Sequence, residues 1–268
     1  AAQAAIGEEA AGRLLRDASY VDRARSAADF FLATLQREDG RLHKRAFEGQ
    51  AGVPPTLEDY AFGAWGLLEL YEASFDVPYL AASVRLAEIL LSDFEDGENG
   101  GFFLTAHDAE ELIFRGRDIH DGAIPSGNSV AAYVLLRLAC ATQRDEFRES
   151  ARRTLEAFFR RAAGNPMAHA FYFAALDAWE GPFTQIVLAG EKGGEALAAL
   201  EAAAAAHFDP NAIVLHRPPD GDRAILELAP WIEHYVAPGG GATAYVCRDH
   251  TCMAPVSEAG ALADTLRK

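Results

Sequence analysis

Up to about residue 180, the helical stretches of this chain are joined by links that alternate in length: long, very short, long, very short, then moderate. Few folds accept that rhythm. Apolar residues recur at helical spacing over 20–36, where Val21, Ala24, Ala27, Ala28, Phe31 and Leu35 share a face. Residues 4–16 carry a shorter pattern of the same kind. Thr56 with Asp59 three positions on predicts a capping box opening a helix over 57–73. The tight turn Ser74–Asp76 leads to a helix over 77–93. Helices over 129–141, 145–162 and 166–179 complete the series. The long links are 39–56, broken by Gly49, Gly52, Pro54 and Pro55 with room for a small hairpin, and 96–128. Within the second, Gly100–Thr105 reads as a short strand, with Ala109–Phe114 as its hairpin partner. Antiparallel helical hairpins put both long loops on one rim. The apolar helices 57–73 and 129–141 then lie inside, with their positive N-terminal ends at that rim. The more charged helices lie outside.

After Gly181-Pro182 the pattern changes. Strands over Thr184–Leu188, Ala212–Leu215 and Thr243–Cys247 alternate with helices over 192–206, near 222–234 and over 257–267. That alternation predicts a small parallel sheet covered by helices, with a domain boundary near 181. Ala189-Gly190 and Gly193-Gly194 lack both the dinucleotide glycine spacing and the Walker lysine.

Half of the residues are apolar and the formal net charge is −16. A balance so acidic argues against nucleic acid or an anionic membrane as partner. No apolar run is long enough to span a bilayer, and a cytoplasmic location is expected. Cys140, Cys247 and Cys252 do not make a disulfide framework. The last two flank R-D-H-T; zinc would need more ligands than the nearby His250 supplies, so no metal is expected there. Cys247 and Cys252 are a redox candidate; the expectation is two free thiols under reducing conditions that mild oxidant links intramolecularly. Cys140, inside an apolar helix, reads as core.

The segment Arg115–Ser129 reads R-G-R-D-I-H-D-G-A-I-P-S-G-N-S. It holds a dense set of polar side chains between rigid helices, a common way to build a site.

The strings L-E-D-Y-A-F (57–62), G-L-L-E-L-Y-E-A (66–73), G-G-F-F (100–103), D-G-A-I-P-S-G-N-S (121–129) and A-Y-V-C-R-D-H-T-C (244–252) occur in that order. Together they resemble the C-terminal half of the thioredoxin-domain-containing family that includes the spermatogenesis-associated members. The resemblance covers essentially the whole chain. It implies a fusion in which a thioredoxin-like domain precedes a helical region similar to the (α/α)6 toroids of N-acylglucosamine 2-epimerases and six-hairpin glycosidases. The expected fold is therefore mostly α, a partial helical-hairpin toroid over 1–181 followed by a small α/β module over 182–268. It implies either a carbohydrate-active toroid taking a sugar-like ligand, or a non-catalytic scaffold for the thioredoxin-like domain. The chain is expected to lack the thioredoxin-like part and the first part of the toroid, which leaves an apolar inner face open to oligomerisation. No cofactor is implied.

Asp118 and Asp121 are candidates for acid and base in sugar chemistry, with His120 for proton transfer. The other expectation is that Asp121 is a turn residue and that an aspartate pairs with Arg115 or Arg117. Arg45, Asp59, Tyr60, Arg115, Ser126 and Asn128 are the candidate ligand-binding set at the rim. Asp59 also fits as a helix cap and Tyr60 as packing, and capping is the better single explanation of Ser126 and Asn128. His43 is a second rim histidine.

Overall fold

The structure is a computed structural model that describes residues 18–110, 113–219, 223–248 and 251–267. The helix expected over 4–16, and His250, lie outside the described residues. The architecture is mostly α: antiparallel helical hairpins, then a small α/β module. Two compact units divide the chain: one runs to Leu138 and includes Asp145–Trp179, and the other comprises Ala139–Arg144 and Glu180–Lys268.

In the first unit, helix α1 (Ala18–Phe30) ends in a π-helical turn, Phe31–Leu35. A two-stranded hairpin follows, β1 (Arg45–Phe47) with β2 (Gln50–Gly52). Helices α2 (Leu57–Ser74) and α3 (Val77–Ile89) form the first tight pair, α3 closing in a π-helical turn over Leu90–Phe94. Helices α4 (Gly127–Thr142) and α5 (Asp145–Gly164) form the second, and α6 (Ala170–Glu180) packs after them. The inner helices are apolar almost all round, as a helix buried on every side must be. From Ser126 to Thr142 every residue of α4 and its cap is buried. Each fully buried Leu, such as Leu68, Leu70, Leu135 and Leu138, contributes about 1.5–3 kcal/mol by leaving water.

Polar side chains fix how the helices sit. The Ser83 hydroxyl donates to the Ala64 carbonyl at 2.7 Å, joining α3 to α2. The Tyr79 hydroxyl donates to Asp29 at 2.8 Å, joining α3 to α1, and burial followed by that carboxylate pushes the phenol up to about 12. The Tyr172 hydroxyl donates to the Leu155 carbonyl at 2.5 Å, joining α6 to α5; burial pushes it up to about 12.

The two long loops meet on one rim. The Arg41 guanidinium bridges Asp93, 2.7 Å from its Nε, and Asp108, 2.6 Å away. The Leu57 N–H donates to the Leu104 carbonyl at 3.0 Å. The strand and hairpin expected over 100–114 do not form among the described residues. Phe102 makes only a single antiparallel bridge, to Glu95, because the Asn128 side chain takes both of its main-chain groups. Gly100 and Gly101 make the turn beforehand at φ +77° and +78°. A Cβ on Gly100 would lie 2.6 Å from the Arg153 carbonyl oxygen, so the sequence needs glycine there.

In the second unit, the sheet order is β4-β3-β5-β6, with β3 (Thr184–Ala189), β4 (Ala212–Arg217), β5 (Thr243–Arg248) and β6 (Thr251–Cys252). Helix α7 (Glu195–Ala205) carries the chain from β3 to its parallel neighbour β4. The expected parallel sheet is mixed instead: β5 runs antiparallel to β3. Between β4 and β5 the described residues build the five-residue helix α8 (Ala224–Leu228) and single 3-10 turns. Among the described residues nothing there returns the chain along the sheet, so β5 enters at the end where β4 leaves. Helix α9 (Ala259–Leu266) packs on the sheet. The Trp231 indole donates to the Ala141 carbonyl at 2.8 Å, and the Gln185 amide to the Cys140 carbonyl at 2.8 Å. Cys140 is buried and outside the disulfide, as a core residue would be.

Candidate functional site

The segment Arg115–Ser129 is polar because it ties loops to helices. Arg115 stacks on the Phe103 ring, its guanidinium carbon 4.0 Å from the ring centroid, and donates to the Thr105 carbonyl at 2.5 Å. Arg117 lies near the Phe103 and Phe158 rings, pairs with Asp96 at 2.9 Å and donates to the Gly100 carbonyl. Both arginines therefore brace the 96–105 turn, and neither pairs with Asp118 or Asp121.

Asp118 accepts the N–H groups of Ile119 at 2.8 Å and His120 at 3.2 Å, and pairs with Arg161 at 2.9 Å; its side chain is 65% exposed. Asp121 is more tightly held. One carboxylate oxygen accepts the Ser126 N–H at 2.8 Å. The other accepts the N–H groups of Phe171 at 2.7 Å and Tyr172 at 3.2 Å. Those are free donors in the first turn of α6, so Asp121 caps a helix fifty residues away in sequence. Ser126 caps α4, accepting the Ser129 N–H at 3.1 Å. Asn128 is 1% exposed and saturates its amide: it accepts from the Phe102 N–H at 2.7 Å and donates to the Phe102 and Asp118 carbonyls.

The other expected rim residues are committed elsewhere. Asp59 accepts the Thr56 N–H at 2.7 Å and its hydroxyl at 3.1 Å, its half of the capping box. Tyr60 is buried and accepts the Leu42 N–H at 3.0 Å; burial raises its pKa. Arg45 is exposed on β1. The structure thus joins Asp118 to Asn128 and Asp121 to Ser126, while Asp59 and Tyr60 engage other neighbours and Arg45 is exposed. His120 is exposed, its ring edge-on to His169 with centroids 6.2 Å apart. His169 is buried; its Nδ1 lies 2.8 Å from the Asn165 carbonyl, so Nδ1 carries the hydrogen, and Nε2 has no partner among the described residues.

A second polar centre lies between the inner helices, where the sequence reading placed none. Arg137 of α4 pairs with Glu69 and Glu72 of α2, all three side chains being under 10% exposed. Burial works against the guanidinium charge, but the two carboxylates outweigh it and hold the pKa well above the ordinary value. The Trp65 indole also donates to Glu69, at 3.0 Å. Trp65, Tyr133 and Phe171 form a mutually packed aromatic trio with centroids 5.1–5.6 Å apart. Tyr133 is buried, while Trp65 and Phe171 are half-buried. Two glutamates three apart inside an otherwise apolar helix, and one arginine inside another, were the signal available in the sequence.

Cys247 and Cys252 are joined by a disulfide, the intramolecular link expected of this pair under oxidising conditions. Strand β6 pairs back on β5 so that Cys252 lies opposite Cys247, with the Cα atoms 3.9 Å apart. Among the described residues no group of three metal-binding side chains occurs, and no helix is long and apolar enough to cross a membrane.

Human spermatogenesis-associated protein 20 is 32% identical to this chain over 228 residues, 82% of the chain. The rat protein of the same name is 30% identical over 262 residues, 94% of the chain. The chain is a homologue of the spermatogenesis-associated proteins. It spans about a third of their length, 29% of the human and 33% of the rat protein. No family model matches the chain. Among solved structures, cellobiose 2-epimerase from Bacillus thermoamylovorans B4167 overlays with a TM-score of 0.49 at 13% identity, over 59% of this chain and 42% of that one.

Proposed function

We propose that this part of the spermatogenesis-associated proteins is a non-catalytic helical scaffold, an interaction module for a thioredoxin-like domain elsewhere in the longer protein, in the cytoplasm. The observation that carries the proposal is the commitment of Asp121. A general acid or base must keep an oxygen free for the reacting group. Both oxygens of Asp121 accept from backbone donors, three in all, whereas Asp118 meets its own turn and Arg161 through Oδ1 and is the acid that the turnover test must examine. Such carboxylates hold a rim in shape.

A sugar-like ligand is the second reading, and the half-buried Trp65 and Phe171 beside Glu69 favour it. Aromatic faces stack on apolar faces of sugar rings, and a carboxylate accepts their hydroxyls. Isothermal titration with a panel of mono- and disaccharides, alongside titration with the thioredoxin-like domain, separates the two. The scaffold reading expects heat only with the domain, and equal binding by Trp65→Ala. Saccharide turnover that Asp118→Asn abolishes without lowering the melting temperature would overturn it.

A further inference from the structure

We propose that the Cys247–Cys252 disulfide is a thiol–disulfide exchange site for a protein dithiol of the Cys-x-x-Cys class, attacked at Cys252. The proposal stands on the second unit alone and is independent of the scaffold reading.

The two sulfurs are not equivalent. Cys247 is 2% exposed on the inner strand β5, whereas Cys252 is exposed on β6. An incoming thiolate needs a straight approach to one sulfur, and only Cys252 offers it. Strand β6 is the outer strand of the sheet, so among the described residues one of its sides carries no partner strand. The ladder register matters here. The Met253 N–H donates to the Val246 carbonyl at 2.9 Å, so the pair next to the cysteines is the hydrogen-bonded one. Cys247 and Cys252 therefore occupy a non-hydrogen-bonded position, in which the main-chain N–H and C=O of Cys252 point to the open side. An extended segment bearing the attacking cysteine can pair with those groups and deliver its sulfur beside Cys252.

The leaving side is also furnished. The Tyr235 hydroxyl sits 3.4 Å from the Cys252 sulfur and 3.7 Å from that of Cys247. It is held in place by the Tyr245 ring, with centroids 4.7 Å apart. A hydroxyl there can donate to the thiolate that forms when the bond breaks. The cross-link spans two strands already paired in a hairpin, so it adds little to the closure of the chain.

In the first step the partner thiolate bonds to the Cys252 sulfur, the disulfide breaks, and its electron pair leaves on the Cys247 sulfur. In the second step the partner's other thiolate attacks its own mixed-disulfide sulfur and releases Cys252 as thiolate. The partner ends as a disulfide, Cys247 and Cys252 end as two thiols carrying the partner's two protons, and two electrons have passed.

The test uses the oxidised chain carrying Cys140→Ser and a Cys-x-x-Cys protein whose second cysteine is replaced by serine. That partner cannot complete the second step, so the mixed disulfide accumulates and is mapped by peptide mass spectrometry. The expected result is an adduct on Cys252 in native buffer, formed about threefold or more slowly by Tyr235→Phe through loss of one hydrogen bond to the thiolate. An adduct on Cys247, or one that forms only in denaturant, overturns the proposal. An unchanged rate for Tyr235→Phe, with its melting temperature kept, overturns the part given to the hydroxyl.

Discussion

Replacing Asp121 by alanine removes the acceptor of three main-chain N–H groups at once. Two of them, on Phe171 and Tyr172, belong to the first turn of α6. Loss of a helix cap costs about 0.5–2 kcal/mol. Loss of a negative charge at a helix N-terminus adds about 0.3–1 kcal/mol. The Ser126 N–H, which enters α4, loses a bond whose net contribution is about 1 kcal/mol. We expect Asp121→Ala to destabilise the first unit by about 2–4 kcal/mol, and Asp121→Asn, which keeps one acceptor oxygen, by about half of that. At roughly 2–4 °C per kcal/mol for a unit of this size, Asp121→Asn lowers the melting temperature by about 2–8 °C. Thermal unfolding followed by circular dichroism reads the shift. Amide hydrogen exchange at Phe171 and Tyr172, faster in the variant, localises it. An unchanged melting temperature with unchanged exchange would show that the carboxylate is not a cap, and would return Asp121 to the list of reactive acids.

Arg137→Met leaves Glu69 and Glu72 buried without their countercharge and costs about 3–5 kcal/mol. Adding Glu69→Gln and Glu72→Gln should recover most of that in urea titrations, and failure to recover would mean that Arg137 acts through packing. Asp96 sets an acid limit. Burial opposes its charge, but donation from the Asn99 and Glu98 N–H groups, with Arg117 nearby, holds its carboxyl below the ordinary value. Its folded pKa lies under the unfolded one, so its stabilisation is complete above about pH 4 and disappears as the pH falls through the folded value. Asp96→Asn should flatten the loss of stability below about pH 4; a parallel acid-unfolding curve would refute that assignment.

Local chemistry was legible in the sequence because its partners are close in the chain. Apolar spacing placed the helices, the alternation of links placed both long loops on one rim, and Thr56 with Asp59 marked a helix start. These depend on contacts within one or two turns. Ser126 was legible as a cap for the same reason. Asp121 was ambiguous because its partners, Phe171 and Tyr172, are fifty positions away, and a carboxylate in a loop looks the same whether it caps a distant helix or awaits a substrate. Asn128 was ambiguous in the same way, since it substitutes for a strand partner of Phe102. The ion cluster of Glu69, Glu72 and Arg137 needed two helices brought face to face before its charges could be seen to match. The direction of β5 and the pairing of Cys247 with Cys252 rested on register, where a shift of one residue turns every side chain to the other face of the sheet. Periodicity and capping depend on near neighbours and can be read from residue order, whereas the partner of a buried charge or amide is set by which distant backbone the core brings beside it.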